Sequence, residues 1–399
     1  LNILLNVQSL SPPLTGIGRY TLEILRALSS NGRVAHLECF AEWRWISPET
    51  AIESALAGNG PAENQTHSIP ARPPGAGALR RVIRAVPGAY PLRCAVRDWV
   101  FLRKSRSMGR FVYHEPNYVL RPFNGPRVLT VHDVSHVRHP AFHPSERVRH
   151  LEKRLPRSLR QADQVITVSQ FSKKELLDVF GVPAEKVTVV PLGVDPACRP
   201  RTPEETAPLL RKYGLAHGCY LLVVATMEPR KNLPRLVAAY GGLPDALKSR
   251  FPLVIAGAPG WGPRLKSPGL AGLEAKGQIR RLGYVPETAL PLLYAGAGAF
   301  AFPSLYEGFG LPLLEAMASG VPVLTSAAAS MPEVAGGAAL LTDPEDTESI
   351  RRDLHRLLSD DDFRARAALA GPAQAAKYTW EACAEKTVSV YAEALARRM

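Results

Sequence analysis

The 399-residue chain lacks the marks of several protein classes. Its five cysteines, Cys39, Cys94, Cys198, Cys219 and Cys383, are odd in number, scattered, and never in C-x-x-C spacing. That excludes a disulfide framework and a zinc knuckle, and leaves buried structural thiols in a reducing compartment as the expectation. No uninterrupted apolar run approaches the ~20 residues of a membrane span. Residues 1–7 are too short and too polar for a secretory signal, so a cytoplasmic location is expected. The sequon Asn64-Gln65-Thr66 is then a chance match. No internal repeat of solenoid period occurs. Acidic residues are scarce between positions 72 and 110, where Asp98 alone faces Arg72, Arg80, Arg81, Arg84, Arg93, Arg97, Arg103, Lys104, Arg106 and Arg110.

This stretch supplies much of the formal charge of +13. Apolar residues, among them Leu79, Val82, Ile83, Trp99 and Leu102, interleave with the cations. Such a surface suits peripheral contact with anionic membrane, and equally a solvated basic face. No nucleic-acid-binding motif accompanies the charge, so nucleic acid is not expected as a partner.

What is present is an ordinary globular composition, 46% hydrophobic and 21% charged, in a chain long enough for two domains. Short apolar runs at 2–7, 34–40, 128–131, 164–168 and 187–190 alternate with amphipathic stretches, including helices over 18–28 and 172–180. A second series follows at 219–224, 253–256, 279–282, 299–301, 321–325 and 338–341, and 380–398 reads as one helix. The alternation predicts an α/β chain with two Rossmann-like, doubly wound parallel sheets. The expected division is 1–197, 198–377 and a terminal helix over 378–399, with residues 58–78 a surface loop. Ligands of such sheets bind outside the strands' carboxyl ends, which places the expected site in the cleft between domains.

The strongest pattern follows the run 299–301. Ser304-Leu305-Tyr306-Glu307-Gly308-Phe309-Gly310-Leu311-Pro312-Leu313-Leu314-Glu315 leaves a strand, turns on two glycines and opens a helix with proline in its first turn. Free N–H groups at that helix start can cradle phosphate or sugar oxygens. Glu315 lies among Leu313, Leu314, Ala316 and Met317, where a carboxylate needs a partner. A second pattern, Glu228-Pro229-Arg230-Lys231-Asn232, follows the run 219–224. Its adjacent cations suit a diphosphate whose charge grows as a group departs. Gly283-Tyr284-Val285, Thr15-Gly16-Ile17-Gly18 and Thr130-Val131-His132-Asp133 stand at other strand ends. A lone G-x-G is weak evidence. His136, His139 and His143 lie close to His132, with no carboxylate pattern to make a metal site of them.

The run 302–320 resembles the two-glutamate motif of retaining GT-B glycosyltransferases of family GT4, and the likeness extends through residues 219–345 and more loosely through the first half. The resemblance implies a GT-B fold whose last helix crosses back to the first domain. It implies a nucleotide-diphosphate sugar as donor, no cofactor and no metal. Glu307 would bind donor-sugar hydroxyls. Phe309, Gly310 and Leu311 would hold sugar and diphosphate through their backbone, and Glu315 the ribose. Arg230 and Lys231 would bind the diphosphate, and Tyr284 and Val285 would line the base. Gly16 and Gly18, rather than Arg19 or Tyr20, would face the diphosphate. His132 matches the His-Asp element of mannosyltransferase-like members, implying GDP-mannose, or a related GDP- or UDP-hexose, as donor and a glycan or lipid-linked acceptor. Ala225 stands where the family often has glycine. Ser169 and Gly193-Val194-Asp195 fill family positions of unassigned role. A GT-B nucleotide-sugar 2-epimerase and a non-catalytic nucleotide- or glycan-binding scaffold are the alternative readings.

Overall fold

A computed structural model describes residues 1–11, 14, 16–41, 43–57, 89–262 and 269–398, with only the backbone of 89–95. The loop expected over 58–78, Cys94, and Arg72, Arg80, Arg81, Arg84 and Arg93 therefore lie outside the described residues or side chains.

The first sheet contains β1 (Asn2–Asn6), β2 (His36–Ala41), β3 (Arg44–Ile46), β4 (Val112–Glu115), β5 (Arg127–Thr130), β6 (Gln164–Thr167) and β7 (Val187–Val189) in the order β3-β2-β1-β4-β5-β6-β7. All pairings are parallel except that of β3 with β2. The second contains β8 (Leu221–Val224), β9 (Leu253–Ala256), β10 (Ile279–Gly283), β11 (Ala299–Phe302), β12 (Val323–Ser326) and β13 (Leu340–Thr342), all parallel, in the order β10-β9-β8-β11-β12-β13. The central strands β1, β8, β9, β11 and β12 are largely apolar and buried because helices cover both faces. In each sheet the strand order reverses beside the first strand, between β1 and β4 and between β8 and β11. The crevice at such a reversal is where these folds bind ligands.

Two strands were absent from the sequence reading. β3 is a three-residue edge strand. β4 is buried throughout, but its sequence Val-Tyr-His-Glu breaks the apolar run with two polar residues. The structure also corrects smaller points. The helix expected over 18–28 begins two residues earlier, as Gly16–Ser29, so that residues 16 and 17 belong to its first turn. Cys39, Cys198 and Cys383 are buried, but Cys219 is exposed.

The chain crosses between the sheets twice. The segment after β7 and the start of the final helix, Trp380–Ala396, run side by side, with Val194 N–H donating to the Tyr378 carbonyl at 3.1 Å. Gly193 permits this approach, since a Cβ there would collide with the backbone at Trp380. The final helix packs on the first sheet. Tyr391 OH meets His114 Nδ1 at 2.7 Å, His114 Nε2 meets Thr130 Oγ1 at 2.8 Å, and Thr130 Oγ1 meets Tyr20 OH at 3.1 Å. This buried relay links the last helix, β4, β5 and the first helix, and explains why a histidine is tolerated at the centre of a strand.

Burial, and secondarily the nearby His132, pushes His114 from an ordinary value of 6.5 down to about 3. The unfolded chain therefore takes up a proton that the folded chain refuses. The stabilisation from this group is complete above pH 6.5 and is lost as pH falls toward 3. At pH 5 the loss from His114 alone is about 2 kcal/mol. Urea unfolding at pH 7 and pH 5 should show His114→Gln less stable than wild type at pH 7, with its further loss on acidification smaller by about that amount.

Candidate active site

The carboxyl end of β11 delivers Glu307 to the carboxyl end of β8. Lys231 Nζ donates to Glu307 Oε1 at 2.6 Å, and Arg230 Nη1 donates to Glu307 Oε2. Arg230 Nε also donates to Glu228 Oε2 at 2.8 Å. Burial alone would raise the Glu307 carboxyl, but Arg230 and Lys231 outweigh it and hold the group below the ordinary carboxylate range. Burial and the neighbouring Arg230 lower the Lys231 ammonium. Glu307, shared by both cations, and Glu228, on Arg230, thus balance two cations in a water-poor site, a requirement for buried charge.

The loop that carries these cations is fixed by Asn232. It adopts φ +59°, which asparagine tolerates better than most residues. Its Nδ2 donates to the carbonyls of Pro303, at 3.0 Å, and Pro344, at 2.6 Å. Leu305 N–H donates to the Arg230 carbonyl at 2.8 Å, tying the two strand ends together. Ser330 Oγ donates to the carbonyls of Glu307, at 2.9 Å, and Phe309, at 3.0 Å. Gly310, at φ +108°, turns the chain into the helix Leu311–Ala318. Its N-terminal N–H groups, with Arg230 and Lys231, form a donor-rich wall suited to an oxyanion.

The first domain meets this turn backbone to backbone. Ser169 Oγ and Ser172 Oγ donate to the Gly308 carbonyl at 2.7 and 3.1 Å. Ser172 Oγ also lies 3.1 Å from the His132 carbonyl. A Cβ on Gly308 would collide with that carbonyl. His132 is thus beside the turn. Its Nε2 donates to the Pro116 carbonyl at 2.9 Å, which leaves Nδ1 as the acceptor of a neutral ring. Burial lowers its pKa and favours that neutral form. Asp133 holds the following turn, accepting from Ser135 N–H at 3.0 Å and Ser135 Oγ at 2.7 Å.

Glu315 is buried and engaged by Arg19, whose Nη1 lies 3.2 Å away, while Arg19 Nη2 donates to Asp195 Oδ2 at 2.8 Å. Burial pushes Glu315 above the ordinary carboxylate range despite that arginine. A ribose here would share the carboxylate with Arg19. Gly16 is exposed at the helix start, with open space where a Cβ would stand. Gly18 instead packs on its own loop, a Cβ there lying 2.7 Å from the Ser9 carbonyl, which accounts for the glycine without a ligand. Tyr284 is 45% exposed, which rules out core packing, and Val285 is buried in the core. Gly257, at φ +152°, lies against the backbone carbonyl of Ala225, where no side chain fits.

His136 is buried with neither ring nitrogen hydrogen-bonded, and His143 Nε2 meets Ser135 Oγ at 2.8 Å. Among the described residues no three His, Cys, Asp or Glu side chains are grouped to hold a metal. Arg19, Ser172 and Asn232 were missed as site residues, because each acts across a distance in sequence. Ser169 gains a definite partner in Gly308. Gly308→Ala should force the domains apart at this contact. At 1–3 kcal/mol for overpacking, kcat/KM should fall by about 10- to 100-fold, while far-ultraviolet circular dichroism stays unchanged.

The description "Glycosyltransferase Family 4" matches residues 14–197, and "Glycosyl transferases group 1" matches residues 215–374. O-antigen chain mannosyltransferase B of Escherichia coli is 37% identical over 391 residues, 98% of this chain and 99% of that protein. MMP alpha-(1->4)-mannosyltransferase of Mycolicibacterium hassiacum is 32% identical over 60% of this chain and 56% of its own length. The crystal structure of Anabaena Alr3699/HepE in complex with UDP and glucose superposes with a TM-score of 0.70 at 19% identity, covering 98% of this chain and 99% of that one. Full-length likeness on a two-sheet scaffold of this kind makes the chain a GT-B glycosyltransferase and a member of glycosyltransferase family 4.

Proposed function

We propose that this enzyme transfers mannose from GDP-mannose, with retention of anomeric configuration, to a glycan or lipid-linked acceptor in cell-surface polysaccharide assembly. The observation that carries the donor chemistry is the Glu307 carboxylate set between Arg230 and Lys231 at a helix start. Mannose and polysaccharide assembly rest on the full-length likeness to an O-antigen mannosyltransferase and on the His132-Asp133 element.

In this reading donor binding rearranges the charge triad. The diphosphate takes up Arg230, Lys231 and the N–H groups of Phe309, Gly310 and Leu311, and Glu307 turns to the sugar hydroxyls. The bond from the anomeric carbon to the diphosphate oxygen breaks, and the acceptor oxygen bonds to that carbon from the same face. The departing phosphate takes the acceptor's proton. Protein cations stabilise its growing charge, so the reaction needs no metal. Neutral His132 borders the sugar and supplies an acceptor nitrogen rather than a competing cation. Glu307→Ala should lower kcat by about 1000-fold, a loss of roughly 4 kcal/mol of transition-state stabilisation. Proton NMR of the product should show the donor's anomeric configuration, and EDTA should leave the rate unchanged. An inverted product overturns the mechanism, and transfer from UDP-hexoses but not GDP-mannose overturns the donor.

Peripheral membrane contact belongs to the same proposal. The helix Ala89–Lys104 exposes Val96 and Trp99, with the Arg103 guanidinium 5.5 Å from the Trp99 ring. Lys104, Arg106 and Arg110 are also exposed. An aromatic among cations suits a headgroup boundary. No described helix is long and apolar enough to cross a membrane. In flotation with anionic vesicles, Trp99→Ala combined with Arg103→Glu and Arg106→Glu should abolish lipid association, and retained association would count against the contact.

A further inference from the structure

A second cavity, of about 410 Å³, opens at the strand reversal of the first sheet, between the carboxyl ends of β1 and β4 and the helix Ser145–Gln161. Four arginines line it, Arg97, Arg121, Arg147 and Arg154, against two carboxylates, Asp98 and Glu115. Two carboxylates offset at most two of the four charges, so the set keeps a positive excess. Glu115 is occupied from within, accepting from Asn6 Nδ2 at 2.6 Å and Tyr113 OH at 2.7 Å. Asp98 is shared, 3.2 Å from Arg154 and 3.8 Å from Arg121.

Arg121 is the informative residue. It is only 4% exposed, and its guanidinium lies over the rings of Phe40 and Phe101 at 5.3 and 5.8 Å. Nη2 donates to Gln8 Oε1 at 2.6 Å, but Nε and Nη1 have no hydrogen-bond partner among the described residues. A buried cation with unmet donors is costly, and a ligand oxygen that meets two of them removes the cost. Paired oxygens on a planar guanidinium are the geometry of phosphate recognition.

The cavity adjoins the reacting side of the cleft through one residue. Tyr118 lines it and packs edge-on against His132 at 6.1 Å. Tyr118 holds φ +60°, a strained angle for an aromatic residue, of the kind found where position matters more than backbone comfort. A group bound in the cavity is therefore one side chain from the sugar-binding turn.

We infer that this cavity is the site for a phosphate-type anion carried by the acceptor, held by Arg121 and Arg154 with Arg147 at its mouth. The inference rests on the glycosyltransferase reading, and it names the acceptor class that reading leaves open: a saccharide bearing a phosphate or diphosphate ester. The same anion occurs in a free sugar phosphate and in a lipid diphosphate, and the assay separates the two.

Inorganic pyrophosphate is titrated by calorimetry into protein saturated with GDP, or with UDP if that binds more tightly, so that the donor site is filled. Wild type should bind it, and Arg121→Gln with Arg154→Gln should weaken binding by about 10-fold or more. Absence of binding in wild type, or equal binding by the variant, overturns the proposal. The single variant Arg154→Gln, on a partly exposed side chain, decides the matter if the double variant does not fold. In the kinetic arm, methyl mannoside, mannose 1-phosphate and a lipid-diphosphate-linked mannoside are compared as acceptors. Phosphate-bearing acceptors should have KM values about 10-fold or more below the neutral one, and the double variant should erase the difference. A gain with both forms makes the phosphate sufficient, and a gain with the lipid form alone assigns the lipid diphosphate as source. A preference that survives in the variant overturns the site. Failure of wild type to transfer to any acceptor would reject the glycosyltransferase reading itself, while the pyrophosphate titration would still judge the cavity.

Discussion

One buried carboxylate governs the arrangement of this enzyme's charges. Glu307 lies between Arg230 and Lys231, with all three largely removed from water. Two cations cannot be kept there without an anion, and a lone anion cannot be kept there without donors. The surrounding chain is built to hold this triad. Asn232 sets the cation loop, Ser330 pins the glutamate's own backbone, and Leu305 ties one loop to the other. The site is therefore preorganised for negative charge while remaining neutralised without it.

A second set of contacts makes the triad part of a two-domain machine. Ser169 and Ser172 reach from the first domain to the carbonyl of Gly308, one residue from Glu307. Glu333 answers from the second domain, accepting from the backbone N–H groups of Gln170 at 2.9 Å and Phe171 at 3.2 Å. Arg19 spans the same gap to Glu315. These polar, short-range bonds stand beside aromatic packing of Tyr306 on Phe171 and His139, at 5.4 and 5.2 Å, and bonds of the polar kind exchange readily with ligand or water.

Much of this was legible in the sequence, for identifiable reasons. Helix-covered parallel strands are continuous apolar runs, so eleven of the strands stand out, whereas β4 hides behind His114 and Glu115. The turn at Gly308 and Gly310 is legible because both demands can be met only by glycine, a close approach to the His132 carbonyl in one and a positive φ in the other. Arg19 was set aside in favour of the neighbouring glycines because its partners Asp195 and Glu315 lie far along the chain. Residues 16 and 17 were placed outside the first helix because glycine weakens a helix without forbidding its first turn. The anion cavity is invisible in sequence, since its arginines come from three separate segments.

The paired crossings between domains bear on how the enzyme can move. Both segments that join the two sheets pass together at Gly193 and Trp380, linked by the bond from Val194 to Tyr378. The second domain is in effect an insertion within the first, entered and left through one doorway. A single tether would let it swing freely, but two adjacent tethers restrict it to rotation about the line through that doorway. Opening and closing of the cleft then resemble a book on its spine, with Glu307 and His132 on facing pages.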